Sequence, residues 1–305
     1  MAHDHQHHVH PVPGGDHDHA FALGSAINLG FVVVEILFGL AANSMALLSD
    51  AGHNLGDVFG LLLAWGASRM ARRPPSRRYT YGLRRGSILA ALINACVLLV
   101  AVGGILWESV RRLAYPEAVA ETMVIWVAAA GVVVNGASAL LFISGHRHDI
   151  NIRGAYLHLI ADAAVSLGVV VTGVAIRYSG WEWLDPATGI VIAVVIAAGT
   201  WGLLRESFNL ALDAVPAHVD IHAVEHYLAG LPGVKEVHDL HIWAMSTTEV
   251  ALTAHLVRDR TEEGDSFLRR AGDHLREEFG IGHATLQIER GDEAVHCPLA
   301  PEHLV

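Results

Sequence analysis

The chain has 305 residues, 52% of them hydrophobic and 17% charged, with a mean hydropathy of +0.39 and a formal net charge of −11. An average this apolar excludes an ordinary soluble domain, and the acidic balance gives nucleic-acid binding no support. Cys96 and Cys297 are far apart and offer no disulfide framework.

The first stretch, 1–19, carries His3, His5, His7, His8, His10, His17 and His19 with Asp4, Asp16 and Asp18. With Pro11, Pro13, Gly14 and Gly15 among them, it reads as a low-complexity, disordered tail able to capture metal weakly, or else as a solvated leader. It lacks the basic start of a signal peptide. The apolar residues concentrate from 20 to 209. Six segments there, near 20–42, 46–68, 86–110, 121–143, 154–177 and 186–208, approach the roughly 20 residues a helix needs to cross a bilayer. Between the first two, Ala41-Ala42-Asn43-Ser44 leaves room only for a tight turn.

The loop after the second span holds Arg69, Arg72, Arg73, Arg77, Arg78, Arg84 and Arg85. The positive-inside rule makes it cytoplasmic, and an even number of spans then puts both termini in the cytoplasm. The loop after the fourth span, with His146, Arg147, His148 and Arg153, is also inside. From 210 to 292 the pattern changes to helix, strand, strand, helix, strand: Val219–Leu231, Val234–Ala244, Val250–Val257, Ser266–Phe279 and Ala284–Ile288. That order predicts a small α+β domain with helices on one face of a sheet, followed by a tail, 293–305.

The second span contains His53-Asn54-Leu55-Gly56-Asp57, and the fifth contains His158-Leu159-Ile160-Ala161-Asp162. In each, histidine and aspartate are four apart, on one helix face with Cβ atoms about 6 Å apart. Two such faces offer one divalent ion two nitrogens and two oxygens, a set that suits tetrahedral zinc. Copper(I) calls for sulfur, and calcium or magnesium for more oxygens, whereas cobalt and cadmium are not excluded by ligand type. An ionised Asp near the middle of a lipid-embedded helix costs roughly 3 kcal/mol or more unless it faces a partner or water. The alternative is that each His–Asp pair only fixes helix packing. Glu35, in the first span, has no histidine one turn away, and packing or proton handling are both open to it. The recurrence of His-x-x-x-Asp at the same interval in the two halves is the pattern of inverted three-helix repeats with a site at their junction.

Histidine must lose its proton to bind zinc, so metal and proton compete for the same atoms. A site that alternates between the two sides would thereby exchange zinc for protons. In the soluble domain, neighbouring strands bring His238, His255 and Glu289 within reach of one another, with His283 and Cys297 as further candidates. His238 and His241, three apart, face opposite sides of a regular strand. The other reading of these histidines is solvated, hydrogen-bonding surface.

Ser49-Asp50-Ala51-Gly52-His53-Asn54-Leu55-Gly56-Asp57, Tyr79-Thr80-Tyr81-Gly82, His158-x-x-x-Asp162 and Val237-His238-Asp239-Leu240-His241-Ile242-Trp243 together resemble the cation diffusion facilitator family, in particular its bacterial zinc-efflux members. The resemblance implies a six-helix membrane bundle with a ferredoxin-like, metallochaperone-like cytosolic domain that dimerises and binds metal. It further implies a homodimer in the cell (inner) membrane and zinc–proton antiport through His53, Asp57, His158 and Asp162. His238, His255 and Glu289 would form the cytosolic zinc site. Residues 69–85 contain neither Asp nor His, so the loop site of some members is not expected. Gln287 stands where some members carry histidine, which leaves a second cytosolic ion dependent on His283. Two rivals are a membrane zinc enzyme, disfavoured by four matched ligands and the absence of His-Glu-x-x-His, and a metal buffer that moves no ion.

Overall fold

The computed structural model describes residues 16–142, 150–258, 264–290 and Cys297, with side chains from 29 to 140, 156 to 258, 264 to 290 and at Cys297. The His-rich stretch before Asp16, the loop residues His146, Arg147 and His148, the side chain of Arg153, and the rest of the C-terminal tail lie outside the described residues.

Six long helices come first: α1 Asp16–Ala41, α2 Met45–Ala71, α3 Gly86–Ala114, α4 Glu121–Phe142, α5 Ile150–Ser179 and α6 Leu184–Ala211. Helix α1 begins four residues before the expected span, so Asp16 to His19 are helical rather than part of a disordered tail. Among the described residues four helices, within α3 to α6, are long and apolar enough to cross a membrane, and Leu29–Ala41 of α1 is a shorter apolar helix. Helix α2 falls short of that measure because one stretch of it carries Ser49, Asp50, His53, Asn54 and Asp57.

The chain forms two compact units. The first comprises 1–59 and 97–200. Its core joins Ala46 and Leu47, Val102, Val124 and Ala128, Val169, and Ile192 and Ile196, drawn from α2 to α6. Most outward positions are large and apolar, such as Leu37, Val100, Trp126, Val133 and Val171, as expected of a surface solvated by lipid. The α1–α2 connection is the expected tight turn. Asn43 takes the left-handed conformation at φ 55, which an asparagine tolerates better than most residues. Arg112 donates to its carbonyl at 2.8 Å, and Asn43 Nδ2 donates to Glu117 at 2.9 Å.

Ser44 caps α2, its Oγ accepting from Leu47 N at 3.1 Å. Asp185, in the first turn of α6, accepts from Ser44 Oγ and Met45 N, each at 2.5 Å, and from Ala46 N at 3.4 Å. One buried carboxylate thus caps α2 from another helix. Asp50, an acid near the start of α2 itself, does not take that role. The side chain of Asp50 instead turns to Ser166 of α5. Close to this clamp, a Cβ on Gly189 would lie 3.0 Å from the Met45 carbonyl oxygen, so α6 meets α2 where only glycine fits.

The second unit comprises 60–96 and 201–305. It contains α7 Ile221–Ala229, β1 Val234–Ala244, β2 Val250–Arg258, α8 Gly264–Phe279 and β3 Ile281–Glu289. The sheet order is β1-β2-β3, with β1 antiparallel and β3 parallel to β2, and α8 supplying the crossover. Phe267, Ala271 and Leu275 form the buried stripe of α8, and with Val224 and Leu228 of α7 they cover Leu252 and Leu256 of β2. The opposite face of the sheet is left for polar side chains.

Tyr79-Thr80-Tyr81-Gly82 is a turn closed by Gly82 N donating to Tyr79 O at 2.9 Å, with Gly82 at φ 73. The arginines that follow pair with acids of the same unit: Arg84 with Glu249 at 2.8 Å, and Arg85 with Asp213. Cys96 is exposed on α3.

Candidate metal centres

In the first unit, α2 and α5 each present a histidine and an aspartate one turn apart, and the four side chains converge. The shortest approaches run across the helices. His53 Nε2 lies 3.3 Å from Asp162 Oδ1, and His158 Nε2 lies 3.3 Å from Asp57 Oδ2. Within each helix the separations are 3.8 Å for His53–Asp57 and 3.5 Å for His158–Asp162. The rings meet edge to face with centroids 5.9 Å apart, and one ligand atom from each residue lies within 4.8 Å of all the others.

A tetrahedron with bonds of about 2.0–2.2 Å has edges of about 3.3–3.6 Å, the range into which three of the four His–Asp separations fall. Asp162 is 2% exposed, yet its Oδ1 has no hydrogen-bond partner, and neither have the buried His53 Nδ1 and Asp57 Oδ2. Buried polar atoms are normally paired. Here carboxylate oxygens and imidazole nitrogens converge, an arrangement that a divalent cation completes.

In the second unit, the pairing of His238 with His255 puts both rings on the sheet face away from the helices, 5.3 Å apart and edge to face. Glu289 pairs with Val257, two residues along, and joins them from β3. Its Oε1 lies 3.0 Å from His255 Nδ1, and its Oε2 lies 3.4 Å from His238 Nε2. Cys297 completes the cluster, Sγ 3.5 Å from His255 Nδ1. His238 is 5% exposed and neither ring nitrogen has a hydrogen-bond partner, so these residues fit a metal ion better than a solvated surface. Burial works to raise the Glu289 carboxyl. Hydrogen bonds from Cys297 and Gln287, with the nearby His238 and His255 rings, outweigh it and hold Glu289 below the usual carboxylate range. The carboxylate is therefore in its ligating form at neutral pH.

His283 is not brought into this cluster. It pairs with Ala251, farther along the sheet, and its ring meets Tyr81 at 5.5 Å. The expectation for His241 is also corrected. An irregularity between His238 and His241, with Asp239 at φ 52, inserts one residue into β1, so His241 pairs with Thr253 and shares the face of His238. Asp239 was missed by the sequence reading. Its carboxylate lies 2.9 Å from His241 Nε2 and 3.4 Å from His255 Nε2, so it can fix which His255 nitrogen faces Glu289.

Residues 22–210 match the cation efflux transmembrane domain, and residues 216–291 match the cytoplasmic domain of cation efflux proteins. The metal cation efflux system protein CzcD of Cupriavidus metallidurans is 35% identical over 300 residues, covering 96% of this chain and 95% of its own. The cadmium, cobalt and zinc/H(+)-K(+) antiporter of Bacillus velezensis is 32% identical over 312 residues, 99% of this chain and 98% of its own. The zinc transporter ZitB of Escherichia coli is 33% identical over 291 residues, 95% and 93%. With a helical membrane region joined to an α+β domain and matched along nearly its whole length, this chain belongs to the cation efflux family of multi-pass membrane transporters.

Proposed function

We propose that this protein exports zinc from the cytoplasm in exchange for protons, carrying the ion on His53, Asp57, His158 and Asp162. The observation that carries this reading is the crossed arrangement on α2 and α5: His–Asp separations close to the edges of a zinc tetrahedron, around atoms that otherwise lack partners. Two nitrogens and two oxygens suit zinc, and the names of relatives extend the cargo to cadmium and cobalt.

The direction of exchange follows from competition. An imidazole that binds the ion must first lose its proton, and a carboxylate must be ionised, so loading from the cytoplasm expels protons and unloading outside admits them. Movement of the α2 and α5 faces between the two sides then couples the flows. The arginine-rich loop orients the chain with both termini in the cytoplasm. The His238, His255, Glu289 and Cys297 cluster holds a second, resident zinc ion on the cytosolic domain, and that domain joins two copies into a homodimer in the cell membrane. An ion held there by His238 of β1, His255 of β2, Glu289 of β3 and Cys297 would tie the three strands to the segment after β3.

Radioactive zinc flux into proteoliposomes tests the reading. The native chain is expected to move zinc down an opposed proton gradient, and Asp57→Ala and Asp162→Ala to lose that movement. Undiminished flux in either variant, or in the native chain after the proton gradient is collapsed, would refute it.

A further inference from the structure

Glu35 of α1 and Asp50 of α2 are both fully buried, at 0% exposure, and neither belongs to the four-residue metal site. Each carboxyl group has one oxygen satisfied by a neutral donor. Asn54 Nδ2 donates to Glu35 Oε2 at 3.0 Å, and Ser166 Oγ donates to Asp50 Oδ2 at 2.8 Å. The other oxygens, Glu35 Oε1 and Asp50 Oδ1, are buried with no donor. The two carboxyl groups lie within hydrogen-bonding reach of each other. Two acceptors cannot satisfy one another. Two carboxylates out of water, with no cation between them, also cannot both be ionised without a large penalty. A single proton removes both difficulties, because one oxygen then donates to the other carboxyl.

We propose that Glu35 and Asp50 form a proton-binding site, separate from the four metal ligands, whose proton leaves when zinc binds. The inference rests on the reading of His53, Asp57, His158 and Asp162 as the transport site. Its location supplies the coupling. Asp50 is one turn before His53 on α2, and Asn54, which holds Glu35, is the next residue after His53. The charged groups that act on the pair are His53 from α2 and Asp162 from α5. Helix α4 packs against α1, and its single titratable residue, Glu121, is in its first turn.

A dication on Asp162 and His53 adds positive charge on the side of the site that the pair adjoins, and charges out of water are strongly felt. The O–H bond of the pair then breaks and its proton passes to water on the cytoplasmic side, leaving two carboxylates beside the ion. When zinc departs outward, the pair takes a proton from water on that side. The exchange thereby returns one proton more per zinc than the four ligands supply.

Calorimetric zinc titration of the purified full-length chain, in buffers of differing ionisation enthalpy, counts the protons released per zinc. Glu35→Gln keeps the shape and the acceptor for Asn54 and removes the proton. It is expected to bind zinc at the transport site and to release about one proton fewer than the native chain, so that its affinity changes about tenfold less per pH unit. Protons from the cytosolic site are common to both chains and cancel in the difference. Asp50→Asn is expected to give the same deficit and serves if Glu35→Gln is not monodisperse. An unchanged proton count in a monodisperse variant would overturn the proposal, as would loss of the transport-site zinc, which would make Glu35 part of the metal seat. Asp57→Ala in the same titration is the separate check: if it binds as many zinc ions as the native chain, the reading of the transport site fails, whatever Glu35→Gln does.

Discussion

Replacing Asp185 by alanine removes the carboxylate that holds the start of α2 from α6. The side chain is fully buried, and it accepts from Ser44 Oγ and Met45 N at 2.5 Å and from Ala46 N at 3.4 Å. Without it, the Met45 N–H is left in the interior with no acceptor, at a cost of about 1–3 kcal/mol. Loss of the inter-helix bond to Ser44 adds about 1 kcal/mol, whereas the long Ala46 contact contributes little. The total is about 2–4 kcal/mol. At 2–4 °C for each kcal/mol in a unit of this size, the unfolding midpoint should fall by about 4–16 °C. Ser44→Ala loses the bond to Leu47 N, about 1 kcal/mol as a typical N-cap, and the bond to Asp185, about 1 kcal/mol more. Thermal unfolding of the detergent-purified chain, followed by size-exclusion recovery after heating, measures both. The two substitutions share a hydrogen bond, so the double variant should fall short of their sum. A midpoint for Asp185→Ala within about 1 °C of the native chain would refute the claim that this carboxylate clamps α2.

His255→Ala is expected to abolish zinc binding at the cytosolic domain, whereas His283→Ala leaves it unchanged; equal losses in equilibrium dialysis would put His283 back among the ligands. His53→Asp exchanges a nitrogen for an oxygen and should weaken zinc while improving relative uptake of a harder cation such as manganese. Competitive flux in proteoliposomes reads that ratio, and an unaltered preference would show that His53 does not set selectivity. Gly189→Leu places a side chain where the Met45 carbonyl is 3.0 Å from the first added carbon. It should lower the yield of monodisperse protein, and native-like yield and melting would contradict close approach of α6 to α2 there.

The sequence made one layer of this plain. His-x-x-x-Asp on two apolar helices put each ligand pair on one face, because a helix repeats every 3.6 residues whatever surrounds it. It did not reveal that each histidine comes closer to the aspartate of the other helix, since that depends on how two helices are rotated against each other. The strand rule failed at His241 for a local reason. Asp239 adopts a positive φ, which adds a residue to β1 and reverses the alternation after it, and nothing in the dipeptide His238-Asp239 demands that. Asp185 was passed over because an acid in the first turn of α6 has an ordinary role at its own helix end. Only the fold brings it to the start of α2. Asp50 is the converse case: it sits near its own helix start, yet its side chain bonds to Ser166, 116 residues away. The pairing of His238 with His255 was legible because both lie on strands whose order and length the alternation predicted.

X-ray absorption at the zinc edge most directly tests whether α2 and α5 hold one ion together. The sample is the full-length chain with His238→Ala and His255→Ala, which leaves the membrane site as the only one of the two centres able to bind. The account predicts one zinc per chain with two nitrogen and two oxygen neighbours at about 2.0–2.2 Å, and loss of that ion in Asp162→Ala. A six-oxygen shell, a sulfur neighbour, or zinc that survives the Asp162 substitution would contradict it.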